Sequence, residues 1–308
     1  VNYDFAGKYF VEGNFRYDGS SRLAPGHHYT FFPSGSVGWR ISEEPFMNFS
    51  RKYLDNLKLR ASYGQLGNQS ISLYQYAEVI TTDPKGYMFG HKWDPGSYIG
   101  KLPNTEIGWE ISNIFNIGID LGFFNNRLSA TFDWYNKKTN DILLDVPVSS
   151  VIGIPVSVQN AGKMKNWGWE LLVGWKDHIN QFNYSATFSR NEVLDLKGTG
   201  PFKGDRTITQ EGYALNTLYA YVADGFYTSE EEIANSPKFE GYASQLKVGD
   251  IKYKDLSGPN GVPDGKIDSY DKTYVGWSAP RFMYGLDLTA KWKGLDVRAF
   301  LQGVGKRD

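Results

Sequence analysis

Apolar and polar residues alternate along much of this chain with a period of two, which is how a strand reads when its two faces meet different surroundings. In Leu57-Lys58-Leu59-Arg60-Ala61-Ser62-Tyr63-Gly64 every odd position is apolar and every even one is polar or glycine. Ile111, Phe115, Ile117, Ile119, Leu121 and Phe123 share one face, opposite Ser112, Asn116, Gly118, Asp120 and Gly122, with Asn113 and Ile114 as an interruption. The alternation returns at 128–135, 167–175, 182–188, 282–292 and 295–302, and more weakly at 8–17, 29–40, 74–80, 141–148 and 217–227. Roughly a dozen strands of about ten residues are predicted, the length at which a tilted strand crosses a membrane.

The connections sharpen this reading, because their lengths alternate. Asn125-Asn126 predicts a two-residue hairpin, since Asn tolerates the positive φ of a type I′ turn; Asp177 to Gln181 and Lys293-Gly294 are similarly short. Between them lie long segments, 65–110, 137–166 and 191–280, rich in Gly, Pro, Asn and Asp. Any one alternating strand fits a soluble core equally well. Strand length, segregated loop lengths and aromatics at strand ends (Phe123, Phe124, Trp134, Tyr135, Trp167, Trp169, Trp175, Phe182, Trp292) together predict an all-β fold, a transmembrane antiparallel β-barrel. Its short turns would be periplasmic and its long loops extracellular.

Composition agrees. Aromatics make up 16% of the 308 residues and there are 34 Gly, a bias toward strands and turns. A formal net charge of -1 offers no polycationic surface, so nucleic acid is not an expected partner. No apolar run is long enough for a membrane-spanning helix, and zero Cys excludes disulfides, thiolate metal sites and Cys nucleophiles. The start Val1-Asn2-Tyr3-Asp4 reads as that of a mature chain or a fragment.

Several stretches go beyond architecture: Arg16-Tyr17-Asp18-Gly19-Ser20-Ser21-Arg22, then Phe32-Pro33-Ser34-Gly35-Ser36-Val37-Gly38-Trp39-Arg40-Ile41-Ser42-Glu43-Glu44; Leu57 through Gln69; Asn160-Ala161-Gly162-Lys163-Met164-Lys165-Asn166-Trp167-Gly168-Trp169-Glu170; and Gly249 through Asp255 followed by Asp264 through Thr273, ending near Gly276. With these motifs the chain resembles, over nearly its whole length, the barrel of a SusC/RagA-type TonB-dependent outer-membrane transporter. The resemblance implies part of a 22-stranded barrel whose N-terminal plug and C-terminal strands lie outside these residues. It further implies a SusD-like surface lipoprotein and the TonB energy-coupling system as partners, contact with membrane lipid and lipopolysaccharide, and an oligosaccharide or peptide substrate. A dimeric complex is compatible with it. The outer membrane is the expected location.

Local chemistry adds two candidate sites. Asp255, Asp264, Asp268 and Asp271 surround a Gly-rich turn, and hard oxygen ligands at close spacing suit Ca²⁺, although five extra residues between Asp255 and Asp264 break the strict EF-hand spacing. A solvated acidic turn is the simpler alternative, and no cofactor is expected to be required. Tyr87, Trp93, Tyr98, Trp109 and Trp277 sit in the outer loops, where rings stack on sugar faces or peptide side chains, or else anchor the loops.

Catalytic patterns are thin. His27, His28, His91 and His178 form no H-E-x-x-H; there is no G-x-S-x-G, P-loop or G-x-G-x-x-G. Ser229 and Glu232 read as a capping box opening a short loop helix. The expectation is therefore transport rather than enzymatic chemistry, with a passive porin and a soluble β-rich glycan-binding module as the alternatives.

Overall fold

The protein is described here from a computed structural model that covers residues 1–146, 149–239 and 245–307. Ten strands form one antiparallel sheet: β1 (Asn2–Phe5), β2 (Tyr9–Gly19), β3 (Tyr29–Arg40), β4 (Leu54–Asn68), β5 (Glu110–Phe123), β6 (Leu128–Leu144), β7 (Gln159–Lys176), β8 (Asn180–Asp195), β9 (Phe282–Trp292) and β10 (Leu295–Lys306). Each strand pairs with its neighbours in chain order, and the sheet is open, with β1 and β10 at its edges.

The register turns the period-two pattern into two continuous faces. One row runs across all ten strands through Phe5, Tyr9, Trp39, Leu59, Ile119, Phe132, Leu171, Ala186, Tyr284 and Gly303. Gly303 fits because the Tyr284 ring lies over it: a Cβ there would come within 2.7 Å of Tyr284 Cε2. The adjacent row carries Val11, Val37, Ala61, Ile117, Trp134, Trp169, Phe188 and Phe282, with the Trp169 ring 6.2, 6.1 and 6.0 Å from those of Phe132, Phe188 and Phe282. A soluble sheet would bury such a face, yet Val11, Val37, Phe115, Ile117, Phe132 and Tyr284 are exposed. The buried core gathers instead at the long-loop rim, in Leu23, Ala24, Phe32, Ile71, Ile107 and Trp109.

Chain direction puts the connections 6–8, 41–53, 124–127, 177–179 and 293–294 on one rim, and 20–28, 69–109, 145–158 and 196–281 on the other. Lys293 and Gly294 have φ of 45° and 87° and close a two-residue turn, as expected. The Asn125-Asn126 hairpin is corrected. Its ladder ends at Phe123 opposite Leu128, so the connection has four residues, with Phe124, Asn125 and Asn126 all at positive φ. The expected strand at 74–80 is absent, because that stretch forms turns; a strand starts at Ile80. The one at 217–227 is two, Thr217–Ala220 and Ala223–Phe226, and the end of 141–148 lies outside the described residues. β6 and β7 run further than expected, which shortens the loop between them to 145–158.

Candidate functional site

The face opposite the apolar rows is polar, and an arginine on β4 organises its middle. Arg60 donates from Nε to Asp120 Oδ2 at 2.7 Å and from Nη2 to Asp120 Oδ1 at 3.0 Å, a bidentate fork, and from Nη2 to Asp133 Oδ2 at 3.1 Å. Thr131 Oγ1 donates to Asp120 Oδ1 at 3.2 Å. Gly118 lies in register between Arg60 and Asp133, and a Cβ there would stand 2.7 Å from Arg60 Nη2 and run into the Asp133 carboxylate. The glycine leaves the space that lets one guanidinium bridge three strands. Arg298 and Asp287 make a second fork across β9 and β10, at 2.9 and 2.7 Å. Nearer the short-turn rim, Lys58 Nζ and the Arg40 guanidinium stand 4.3 and 5.4 Å from the Phe10 ring centre. The polar face is thus lined with fixed charges of both signs, suited to holding water or a polar chain against it.

At the long-loop rim the connections lock together. Leu102 exchanges backbone hydrogen bonds with Pro155 and Ser157 at 2.9 Å. Asn104 Nδ2 donates to Val158 O at 2.8 Å, and the Asn160 amide exchanges hydrogen bonds with the Gly108 backbone at 2.9 and 3.1 Å. Trp109 belongs to this packing. It is 8% exposed, lies edge-on to Phe32 and donates from Nε1 to His28 O at 3.1 Å, the geometry of the loop-anchoring alternative. The other aromatics are placed differently. Tyr87 and Tyr98 share one face of an exposed hairpin, Ile80–Phe89 with Lys92–Ile99, and Trp93 points from the other face. Trp277 ends a strand of a small loop sheet, donates from Nε1 to Leu215 O at 3.1 Å and lines a cavity of about 330 Å³ with Trp167, Arg190 and Arg281. The five residues do not converge on one site.

The acidic turn is built by backbone capping. Asp271 is fully buried; its Oδ1 accepts from Leu256 N at 2.7 Å and Ser257 N at 3.1 Å, its Oδ2 from Asp268 N at 2.8 Å. Burial opposes ionisation, but the N–H groups of Asp268, Ser257 and Leu256 outweigh it and hold the carboxyl below its ordinary range. Asp268 returns the capping box by accepting from Tyr270 N, Asp255 Oδ2 accepts from Gly265 N at 2.6 Å, and Asp264 Oδ1 from Lys266 N at 3.1 Å. Backbone amides thus take at least one oxygen of each of the four carboxylates, while Asp255 Oδ1 is buried without a hydrogen-bond partner. Among the described residues no three His, Cys, Asp or Glu side chains are grouped to hold a metal ion. The Ser229–Glu232 signal fares better. Ser229 caps the helix Glu230–Asn235, and the Glu232 carboxylate takes Lys252 Nζ plus Thr228 N and Oγ1, each at 2.8 Å.

A single-layer sheet with one exposed apolar face, one charged face and its three longest connections, 69–109, 145–158 and 196–281, on one rim is the wall of a membrane β-barrel. Residues 1–303 match the family described as TonB dependent receptor-like, beta-barrel. The chain belongs to that family and is of the SusC/RagA type. It is 32% identical over 319 residues to TonB-dependent receptor P26 of Formosa agariphila, covering 99% of this chain and 31% of the relative. With TonB-dependent receptor SusC of Bacteroides thetaiotaomicron it shares 31% identity over 320 residues, covering 96% of this chain and 29% of the relative. The fold superposes on the RagAB peptide transporter with a TM-score of 0.77 at 26% identity, over 98% of this chain and 32% of that one. The chain therefore spans less than a third of the length of these relatives.

Proposed function

We propose that these residues form part of the wall of one outer-membrane barrel domain, in an importer that takes up oligosaccharides or peptides with a SusD-like lipoprotein and energy from TonB. The barrel's plug and further strands would lie outside this chain, with the edges of β1 and β10 pairing to the rest of the wall. The observation that carries the reading is the apolar row crossing all ten strands opposite the Arg60–Asp120–Asp133 network. It gives lipid one face and an aqueous lumen the other. The peptide importer RagAB supplies the peptide class by analogy, and the oligosaccharide class rests on the resemblance to the SusC/RagA type. The lid and the arriving substrate would meet the long-loop rim, where Tyr87, Tyr98, Trp93 and Trp277 are the aromatic contacts and the short turns face the periplasm.

Uptake by cells carrying the full-length receptor tests this directly. Accumulation of an oligosaccharide or peptide should require TonB and the neighbouring lipoprotein, and uptake that persists without TonB would identify a passive pore instead. Biotin tags on intact cells should react within 191–280 and be shielded at 125–126 and 293–294. The reverse pattern would invert the topology.

A further inference from the structure

One connection on the short-turn rim is unlike the others. Residues 41–53, joining β3 to β4, form two 3-10 turns, Ile41–Glu43 and Pro45–Ser50, where neighbouring strands elsewhere on that rim are joined by tight turns. Glu44 pins this segment to the apolar side of the wall. It is only 8% exposed and accepts from Tyr9 Oη at 2.5 Å, Trp39 Nε1 at 3.1 Å and Lys8 Nζ at 3.4 Å. Tyr9 and Trp39 belong to the apolar row, pair in register and stack with ring centres 6.5 Å apart. The hydroxyl of Tyr9, then the Trp39 indole and Lys8, hold the Glu44 carboxyl below its ordinary range.

Beyond Glu44 the segment turns apolar and uncovered. Phe46, Phe49 and Tyr53 are 61%, 82% and 55% exposed, and Arg51 and Lys52, also exposed, lie between the last two. The segment then meets the next turn of the same rim, where Phe124 N donates to Tyr53 O at 3.0 Å and Phe124 is itself exposed. Tyr9, Trp39, Phe46, Phe49, Tyr53 and Phe124 thus all belong to the short-turn rim or to the strand ends beside it, with Arg51, 3.7 Å from the Glu43 carboxylate, and Lys52, 5.3 Å from the centre of the Tyr53 ring, among them. An 82%-exposed phenyl ring in water is unfavourable, whereas rings at the edge of a bilayer with cations beside them match the headgroup layer, where apolar carbon below meets phosphate above.

We infer that residues 45–53 are an interfacial anchor: Phe46, Phe49 and Tyr53 enter the periplasmic leaflet of the membrane, Arg51 and Lys52 bind its lipid phosphates, and Glu44 clasps the segment to the wall. The inference rests on the apolar face of the wall lying in lipid. The anchor sits roughly 5–10 Å into the boundary between headgroups and acyl chains.

The test uses the full-length receptor, freed of other cysteines, in vesicles of phosphatidylethanolamine and phosphatidylglycerol. A Phe49→Cys variant carries an environment-sensitive fluorophore, and an Ile119→Cys variant reports on the wall. The fluorophore at 49 should emit to the blue of its value in water, lose emission to a nitroxide at a shallow acyl position more than to a deep one, and resist aqueous iodide. Arg51→Glu with Lys52→Glu should reduce the shallow quenching, most strongly in vesicles rich in phosphatidylglycerol. Iodide quenching at 49 with lipid quenching at 119 would overturn the anchor and leave the barrel intact; water at both positions would remove the membrane reading itself. Blue emission at 49 without quenching by the lipid nitroxides would mean that the receptor's own chain covers Phe49, and would also overturn the anchor.

Discussion

Where β4 pairs with β5, from Leu54 opposite Phe123 to Asn68 opposite Glu110, the wall satisfies its backbone through neighbouring strands, and most of its side chains need only alternate. The connection 196–281 has short pieces of strand in several small sheets, and much of its backbone is held by side chains: Asp271 on three amides, Asp255 on Gly265, Asn191 on Leu215. The wall repeats one solution ten times, while each outer connection is solved once. A substitution in the wall should therefore act according to the face it occupies, and one in an outer connection according to the particular partner it removes.

The largest effect is expected where a single partner set is lost. Trp109→Ala should destabilise the long-loop rim by about 3–5 kcal/mol, because the ring fills a core site and its indole ties 109 to His28. Limited proteolysis of 69–109 reads this, and an unchanged cleavage rate would show that the rim does not depend on that packing. In the wall, Ile119→Arg should cost about 2–4 kcal/mol near the bilayer midplane, whereas Asn116→Arg on the polar face should be tolerated. Equal costs in chemical unfolding of the full-length receptor would erase the distinction between the faces.

Asp271→Asn leaves at least one buried amide without an acceptor and should loosen the 255–273 turn by about 1–3 kcal/mol, seen as faster hydrogen exchange at Leu256 and Ser257. A smaller change is expected from acid. Lys252, then the Thr228 amide and hydroxyl, hold the Glu232 carboxyl at about 2. Because that folded value lies below the ordinary one near 4.5, its contribution is complete above about pH 4.5 and is lost as the pH falls toward 2. Exchange in 228–253 should quicken over that window, and Glu232→Gln should flatten the dependence. Ca²⁺ should have the least effect: with the acidic turn already capped by amides, the melting temperature should not move. A rise that disappears in the Asp264→Ala, Asp268→Ala variant would establish a metal site there.

The two regions also differ in how far they can be read from the residues alone. Leu57–Gly64 declares its faces because alternation is a property of the strand itself, and its pairing with β5 follows that register. Lys293-Gly294 declares its turn because a positive φ is a local demand. Four residues at 124–127 instead of two, and turns where 74–80 looked like a strand, were decided by where the neighbouring ladder ends and by contacts distant in sequence. Trp109 looked like any loop aromatic, since nothing beside it announces Phe32 and His28. The Arg60 network spans residues 60, 120 and 133, and its one local hint was Gly118 among larger neighbours. The acidic spacing at 255–271 allows both readings, because a carboxylate that caps amides and one that binds a cation look the same in sequence.

The sequential strand order bears on assembly. Closing a hairpin across 293–294 or 124–127 costs little chain entropy, whereas bringing β8 to β9 across 196–281 as a flexible loop would cost about 3 kcal/mol more than a four-residue connection. The β9–β10 hairpin can therefore form before it finds β8, and the small sheets within 196–281 shorten the search by folding on their own side of the gap. The junction Phe188 to Phe282 is the natural late step in closing this part of the wall, the seam at which a slow-folding variant would stall.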